Sequence, residues 1–169
     1  MAKSSEKELD KALEDGFQSR PGFTDWFLSQ TKFADLGGHY QCSRSDNPWC
    51  GVPTTISDPD TGVEKQVVIE SETDVLVVFE TASKSRFALH IENKLALGRF
   101  TVHQPELYAA RARFWMNKAR YGNYSEFETV LVAPTAFYRR WATDAAKFDR
   151  FISHEDIARF LPVFLPQGP

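Results

Sequence analysis

The chain opens with apolar residues at helical spacing and has continuous apolar runs in its middle. The apolar positions from Leu9 to Phe17 fall on one face of a predicted first helix, which Ser4 or Ser5 can cap. A second short helix is predicted over residues 23–33, with its aromatic side chains turned inward. The N-terminal part of the chain is therefore expected to pack two helices against a core.

The central third of the chain predicts strands. Residues 66–79 include a nearly continuous Val/Ile/Leu series, typical of a sheet buried on both faces. A polar turn separates this run from residues 87–91, and the two are expected to pair as an antiparallel hairpin. Residues 127–133 predict a further buried strand, which Pro134 ends.

Helices are predicted between and after these strands. Pro105 suits the first turn of a helix that runs to about residue 120. A polar helix is expected near residues 135–147 and a last helix over 154–161. This order predicts an α/β fold with a mixed sheet, in a single domain that spans residues 1–169.

Residues 39–66 break this regular pattern. They are rich in Ser, Asp, Pro, Gly and Thr and are expected to form a long irregular insertion, with room for a short strand or hairpin. His39, Cys42 and Cys50 lie in or near it, but a structural zinc site needs a fourth ligand, so two incidental thiols are the preferred interpretation.

Composition and charge narrow the functional classes. No run approaches the roughly 20 apolar residues of a membrane span, and the N-terminus lacks the apolar centre of a signal peptide, so a cytoplasmic location away from membranes is expected. The net charge is -3, which disfavours indiscriminate binding to nucleic acid. Residues 94–150 nevertheless hold 10 basic and 5 acidic residues. Positive charge therefore gathers in one part of the chain, although ordinary solvated helix faces would look the same.

Acidic and basic side chains stand where two predicted strands end. Asp74 precedes the apolar run that starts at Val75, and Glu92 follows the next strand, with Lys94 two residues later on the same face. Mg²⁺ prefers oxygen ligands such as one or two carboxylates. Asp74 and Glu92 are therefore candidate metal ligands, the backbone carbonyl of Asn93 could add a third, and Lys94 could reach a water or a phosphate oxygen.

The following helix adds polar groups on one face. Gln104 and Tyr108 are four residues apart and would support the site, while Arg111 is a candidate for contact with DNA phosphate. Other acids could also join the metal, and which of them does so stays open; they are Glu14, Asp15, Glu70 and Glu72. Each of these motifs alone is common in proteins without any such site, so the prediction depends on their order and placement.

In that order and placement, the residues resemble the PD-(D/E)XK nuclease superfamily. Asp74 is similar to its first-motif aspartate, Glu92-Asn93-Lys94 to its (D/E)-x-K motif, and Gln104 to Tyr108 to the Q-x-x-x-Y motif of its RecB-like branch. Thr73 replaces the proline of the family's first motif. The resemblance covers roughly residues 67–161.

The resemblance implies a restriction-endonuclease-like α-β-β-β-α-β core and Mg²⁺- or Mn²⁺-dependent cleavage of nucleic acid, usually DNA. It implies metal binding by Asp74 and Glu92, a catalytic role for Lys94 and supporting roles for Gln104 and Tyr108. Phage defence, restriction or repair would be a fitting context in bacteria or phage. Two alternatives stay open: a nuclease-fold binding or accessory subunit that no longer cuts, and an α/β domain whose acids only solvate strand ends. A homodimer would suit a small nuclease that cuts both strands, and a partner protein is the other expected assembly.

Overall fold

The computed structural model describes residues 4–46 and 49–165. The dipeptide Asn47-Pro48, whose sequence predicts a turn, lies outside them. The helices and strands follow the chain in this order: α1 (Glu6–Ser19), α2 (Phe23–Ser29), β1 (His39–Arg44), β2 (Cys50–Ser57), β3 (Glu64–Ser71), β4 (Val75–Glu80), β5 (Arg86–Asn93), α3 (Gln104–Trp115), β6 (Glu126–Ala133), α4 (Thr135–Arg140), α5 (Ala142–Ala145), β7 (Arg150–Ser153) and α6 (His154–Ile157).

Five strands form one mixed sheet in the order β1-β4-β5-β6-β7. The pairs β1–β4 and β4–β5 are antiparallel, whereas β5–β6 and β6–β7 are parallel. The mixed α/β fold class predicted from the sequence is confirmed, as is the hairpin of β4 and β5. When α2, β2 and β3 are set aside, α1, β1, β4, β5, α3 and β6 follow the expected α-β-β-β-α-β order.

Helices cover both faces of this sheet. Alternate residues of β4, Val75, Val77 and Phe79, face a cluster that contains the apolar side of α1 and the aromatic residues of α2. The intervening residues Leu76 and Val78 face the end of α3. Burial on both faces explains why β4 reads as an uninterrupted apolar run.

The structure corrects two predictions about the strands. Residues 66–79 are not one strand, because β3 ends at Ser71 and pairs with β2 in a separate two-stranded sheet, while β4 begins at Val75. The segment 39–66 is more regular than predicted, since it contains β1 of the main sheet, and the short hairpin that the prediction allowed for is β2 with the start of β3. Its strands carry Ser, Thr, Gln and Pro because β1 lies at a sheet edge and the β2–β3 hairpin is mostly solvent-exposed.

Several helices are shorter than predicted, and β7 was missed. The second helix ends at Ser29, α3 ends at Trp115, the predicted 135–147 helix is split at Trp141, and the last helix ends at Ile157. Four residues are too few to display a strand pattern, which is why β7 escaped prediction. None of the described helices is long and apolar enough to cross a bilayer. Cys42 and Cys50 are free thiols.

Candidate active site

Asp74 and Glu92 lie side by side because their strands are neighbours. Val75 at the start of β4 pairs with Ile91 near the end of β5. The Asp74 carboxylate accepts a hydrogen bond from the backbone N–H of Asn93, with 2.8 Å between Oδ2 and nitrogen. The Asp74 side chain thus continues the ladder by one step and is tied to the strand end that carries Glu92.

The two oxygens of the Glu92 carboxylate have different surroundings. Oε1 lies 2.6 Å from Nζ of Lys94 and 2.7 Å from Nε2 of Gln104. Oε2 is buried, and it has no hydrogen-bond partner among the described residues. Glu92 is 1 % exposed, so this oxygen is a strong acceptor held away from bulk water. Lys94 and Gln104 therefore fix the carboxylate by one oxygen and leave the other for a ligand.

Helix α3 supports both acids from its first two turns. The Tyr108 hydroxyl accepts from the backbone N–H of Asp74 at 3.1 Å and donates to the carbonyl of Ile91 at 3.4 Å. The Gln104 amide oxygen accepts from the N–H of Thr101 at 3.0 Å, which orients its nitrogen toward Glu92. Gln104 and Tyr108 thus contact the two predicted metal ligands from one helix face, as their spacing suggested.

Negative charge is concentrated at this site. Burial, together with repulsion from Glu92 and Asp10, raises the pKa of Asp74 well above its ordinary value. Burial alone would lower the pKa of Lys94, but attraction to Glu92 and Asp74 outweighs burial, and the pKa is raised. Lys94 is therefore a stable cation beside acids that repel one another, which suits a site that takes up a further cation.

A third buried acid, Asp10 on α1, was missed in the sequence. It is 2 % exposed, and its Oδ1 accepts from Nδ2 of Asn93 at 3.1 Å. Burial and repulsion from Glu92 raise its pKa to about 7, although the hydrogen bond from Asn93 acts in the opposite direction. Helical spacing could have indicated its burial, because Asp10 shares a face of α1 with the buried residues Leu13 and Phe17.

The acids considered as additional ligands differ in position. Glu14 is buried but accepts hydrogen bonds from Ser43 and Ser45 of the β1 region, and Asp15 is exposed and paired with Lys11 at 2.9 Å. Glu72 is half-buried, and burial followed by repulsion from Glu92 raises its pKa. Glu70 is exposed on the β2–β3 hairpin, opposite Gly51.

Asn93 and Arg111 are both buried, and each uses its side chain within the protein. The Asn93 amide bridges Asp10 and His154, whose Nε2 lies 2.9 Å from Asn93 Oδ1. Arg111 is 0 % exposed and donates to Thr73 at 2.6 Å and to Ser71. The surface position that a phosphate contact by Arg111 requires is therefore not observed.

The side chains present fit a divalent cation bound by few ligands. Asp74 and the unpartnered oxygen of Glu92 supply two carboxylate groups, and hard cations such as Mg²⁺ commonly take one or two of these plus water. Among residues 4–46 and 49–165, no group of three or more His, Cys, Asp or Glu side chains is arranged to hold a metal ion. The predicted ligand set contains only two such side chains, Asp74 and Glu92, because its third ligand is the backbone carbonyl of Asn93.

Comparison of the chain with protein-family models, with curated proteins and with solved structures finds no match.

Proposed function

We propose that this protein is a Mg²⁺- or Mn²⁺-dependent nuclease that hydrolyses phosphodiester bonds, with DNA as the expected substrate. The observation that carries the proposal is the Glu92 carboxylate. One of its oxygens is held by Lys94 and Gln104, and the other is buried without a partner in the described structure, beside Asp74. A buried acceptor without a donor costs free energy, and a bound cation would remove that cost.

Each residue has a role in this proposal. Asp74, Glu92 and the carbonyl of Asn93 would hold the cation, which when bound supplies an activated water and stabilises the charge that develops on the phosphate. Lys94 keeps a protonated ammonium 2.6 Å from Glu92 and is placed to orient the water or to stabilise a phosphate oxygen. Gln104 and Tyr108 hold the two acids in place from α3.

The segment that follows Lys94 is suited to an approaching phosphate. Between Lys94 and Gln104 the chain carries Arg99 and His103, both exposed, and no acid. Arg140 fixes this segment by donating to the carbonyls of Ala96 and Gly98, both at 2.8 Å. The segment beside the acidic centre therefore adds one exposed arginine, Arg99, and no acid of its own, although the Glu6 carboxylate of α1 accepts from the Leu95 N–H at 3.4 Å. An arginine in this place favours the approach of a phosphate.

Cleavage assays test the proposal. Pure protein is incubated with plasmid, linear and single-stranded DNA and with RNA, in Mn²⁺, Mg²⁺ or EDTA. We expect metal-dependent cutting that is lost in Glu92→Ala and in Lys94→Ala. The matched controls are Glu80→Ala and Lys84→Ala at the other end of β4, where Glu80 pairs with the exposed Lys84 and with Arg86, and both should keep activity. Cutting that persists in both site variants would refute the assignment of this site.

A binding measurement separates an enzyme from a silent module. A ligand that binds only the folded state raises the melting temperature by mass action, so Mn²⁺ should stabilise the wild type but not Glu92→Gln. If nucleic acid binds equally well with and without metal, binds Glu92→Gln as tightly as wild type, and is never cut, the chain is instead a nuclease-fold binding or accessory subunit.

A further inference from the structure

The segment Ser71–Asp74 connects two sheets. Ser71 is the last residue of β3 and pairs with Cys50 in the β2–β3 hairpin, whereas Val75 begins β4 of the main sheet. Asp74 therefore lies on a short link between independent sheets and not inside a ladder. Its bonds with Asn93 and Tyr108 hold Asp74 itself, and side-chain contacts must fix the rest of the link.

The guanidinium of Arg111 on α3 supplies hydrogen bonds to the link. Its Nη1 donates to the Ser71 hydroxyl and its Nε to Oγ1 of Thr73 at 2.6 Å. The guanidinium carbon lies 4.4 Å from the centre of the Tyr108 ring, and the Tyr108 hydroxyl accepts from the N–H of Asp74. Neighbouring residues of α3 thus hold the link at Ser71, Thr73 and Asp74.

A buried hydrogen-bond chain fixes Thr73 from its other side. Thr73 Oγ1 lies 3.2 Å from Nδ1 of His90, whose Nε2 lies 2.9 Å from the Tyr124 hydroxyl. That hydroxyl donates to the carbonyl of Ala112 at 2.6 Å, one residue after Arg111. If the His90 ring carries its proton on Nε2, every group in this hydrogen-bond series has a donor or an acceptor. The series begins on α3 at Arg111 and ends on α3 at the carbonyl of Ala112.

We propose that Arg111 is a positioning residue that places the Asp74 carboxylate through Ser71 and Thr73, and that it does not contact nucleic acid directly. Arg111 is fully buried, and burying a guanidinium costs free energy unless its charge and donors are compensated. The acids Asp74, Glu92 and Glu72 attract it, which offsets part of that cost. Arginine serves here because one planar group reaches two hydroxyls, which a lysine ammonium does less well.

The role assigned to Asp74 rests on the proposed function, but its placement can be measured without metal or substrate. The backbone N–H of Asn93 donates to Asp74, so its hydrogen exchange reports where that carboxylate lies. In Arg111→Met and Arg111→Lys, we expect the protection of the Asn93 amide, relative to core amides such as Leu89, to fall about tenfold, since one hydrogen bond is lost. Arg113→Met, an exposed change on the same helix, should alter this ratio less than about twofold.

A second variant keeps the test decisive if Arg111→Met does not fold. Thr73→Val is nearly isosteric and removes the hydroxyl that joins Arg111 to His90, so it should lower the same ratio. General destabilisation would reduce the protection of Asn93 and Leu89 together and leave the ratio unchanged. An unchanged ratio in Thr73→Val and in every folded Arg111 variant would overturn the positioning role. A lowered ratio in a protein that proves not to bind Mn²⁺ would support the placement and refute the nuclease proposal alone.

Discussion

The side-chain nitrogen of Asn93 lies 3.1 Å from Oδ1 of Asp10, so a buried carboxylate on the first helix is joined to the strand that carries Glu92. The Asn93 backbone N–H is bonded to Asp74 at the same time. One residue therefore connects Asp10 and Asp74, and the middle position of the Glu-x-Lys motif is structurally constrained.

Asp10→Asn should stabilise the metal-free protein at pH 8. The pKa of Asp10 is about 7 in the folded state against an ordinary value of 3.8, so its ionisation opposes folding as the pH rises through this range. The variant should gain a few kcal/mol in unfolding free energy at pH 8, and the gain should disappear near pH 4. Urea unfolding at several pH values measures this.

Asp15→Asn is the matched control for that prediction, because Asp15 is exposed on the same helix and pairs with Lys11. It should change stability by less than about 0.5 kcal/mol. If Asp10→Asn is less stable than the wild type at pH 8, burial and repulsion from Glu92 do not destabilise the ionised form of Asp10.

Tyr108→Phe should destabilise the fold and weaken the site together. The change removes the hydroxyl that accepts from Asp74 N–H, and an unsatisfied buried donor costs about 1–3 kcal/mol. The ring and its contact with Arg111 are retained. Denaturant unfolding measures the loss, with Tyr138→Phe, whose ring stacks on Phe151, as the comparison. Equal stability in the two variants would contradict the assigned bond.

His154→Gln should make the unfolding free energy depend less on pH between pH 7 and pH 4. Burial, only partly opposed by Glu155, lowers the pKa of His154 to about 4 from an ordinary 6.5. As the pH falls from 6.5 to 4 the unfolded chain takes up a proton before the folded protein does, so stability is lost in that window.

The stability difference between wild type and His154→Gln should therefore shrink by roughly 3 kcal/mol between pH 7 and pH 4. The Asp10 carboxylate titrates with the opposite sign, but it is present in both proteins and its effect cancels to first order. A pH-independent difference would show that His154 titrates normally in the folded protein.

Gly122→Ala should cost more than Gly37→Ala, although both glycines have positive φ, +86° and +61°. A Cβ at Gly122 would lie 2.8 Å from Cγ2 of Val78, whereas at Gly37 nothing lies within 4 Å. Both substitutions place an alanine in a left-handed backbone conformation, which lowers stability. Gly122→Ala should lose about 1–3 kcal/mol more, because its Cβ overpacks the core. Thermal unfolding of the two variants provides the comparison, and equal losses would contradict the packing around Gly122.

The sequence was informative where a local pattern has one structural meaning. The apolar run of β4, the hairpin with β5 and the Gln104–Tyr108 spacing each predicted the observed neighbours, because strand and helix periodicity determine which side chains share a face. The acids at the ends of β4 and β5 followed from the same reasoning.

Contacts between distant segments could not be obtained in this way. Asp10 lies 83 residues from Asn93, and neither residue carries a local signal for the other. Arg111 looked like a surface cation because arginine is seldom fully buried, and only the tertiary fold brings Ser71 and Thr73 to it. β1 was hidden for a related reason, since an edge strand with one partner needs few apolar residues.

The separate pairing of β2 with β3 has a consequence for how such a protein can diversify. The tip of this hairpin, residues 58–63, is exposed, and its turn is closed by Asp58, whose Oδ1 accepts from the N–H groups of Asp60 and Thr61. Lengthening or shortening the hairpin by pairs of residues at this tip shifts no register in the five-stranded sheet. Changes of length at this tip would therefore reshape the projection while the Ser71 end, and with it the acidic centre, keeps its place.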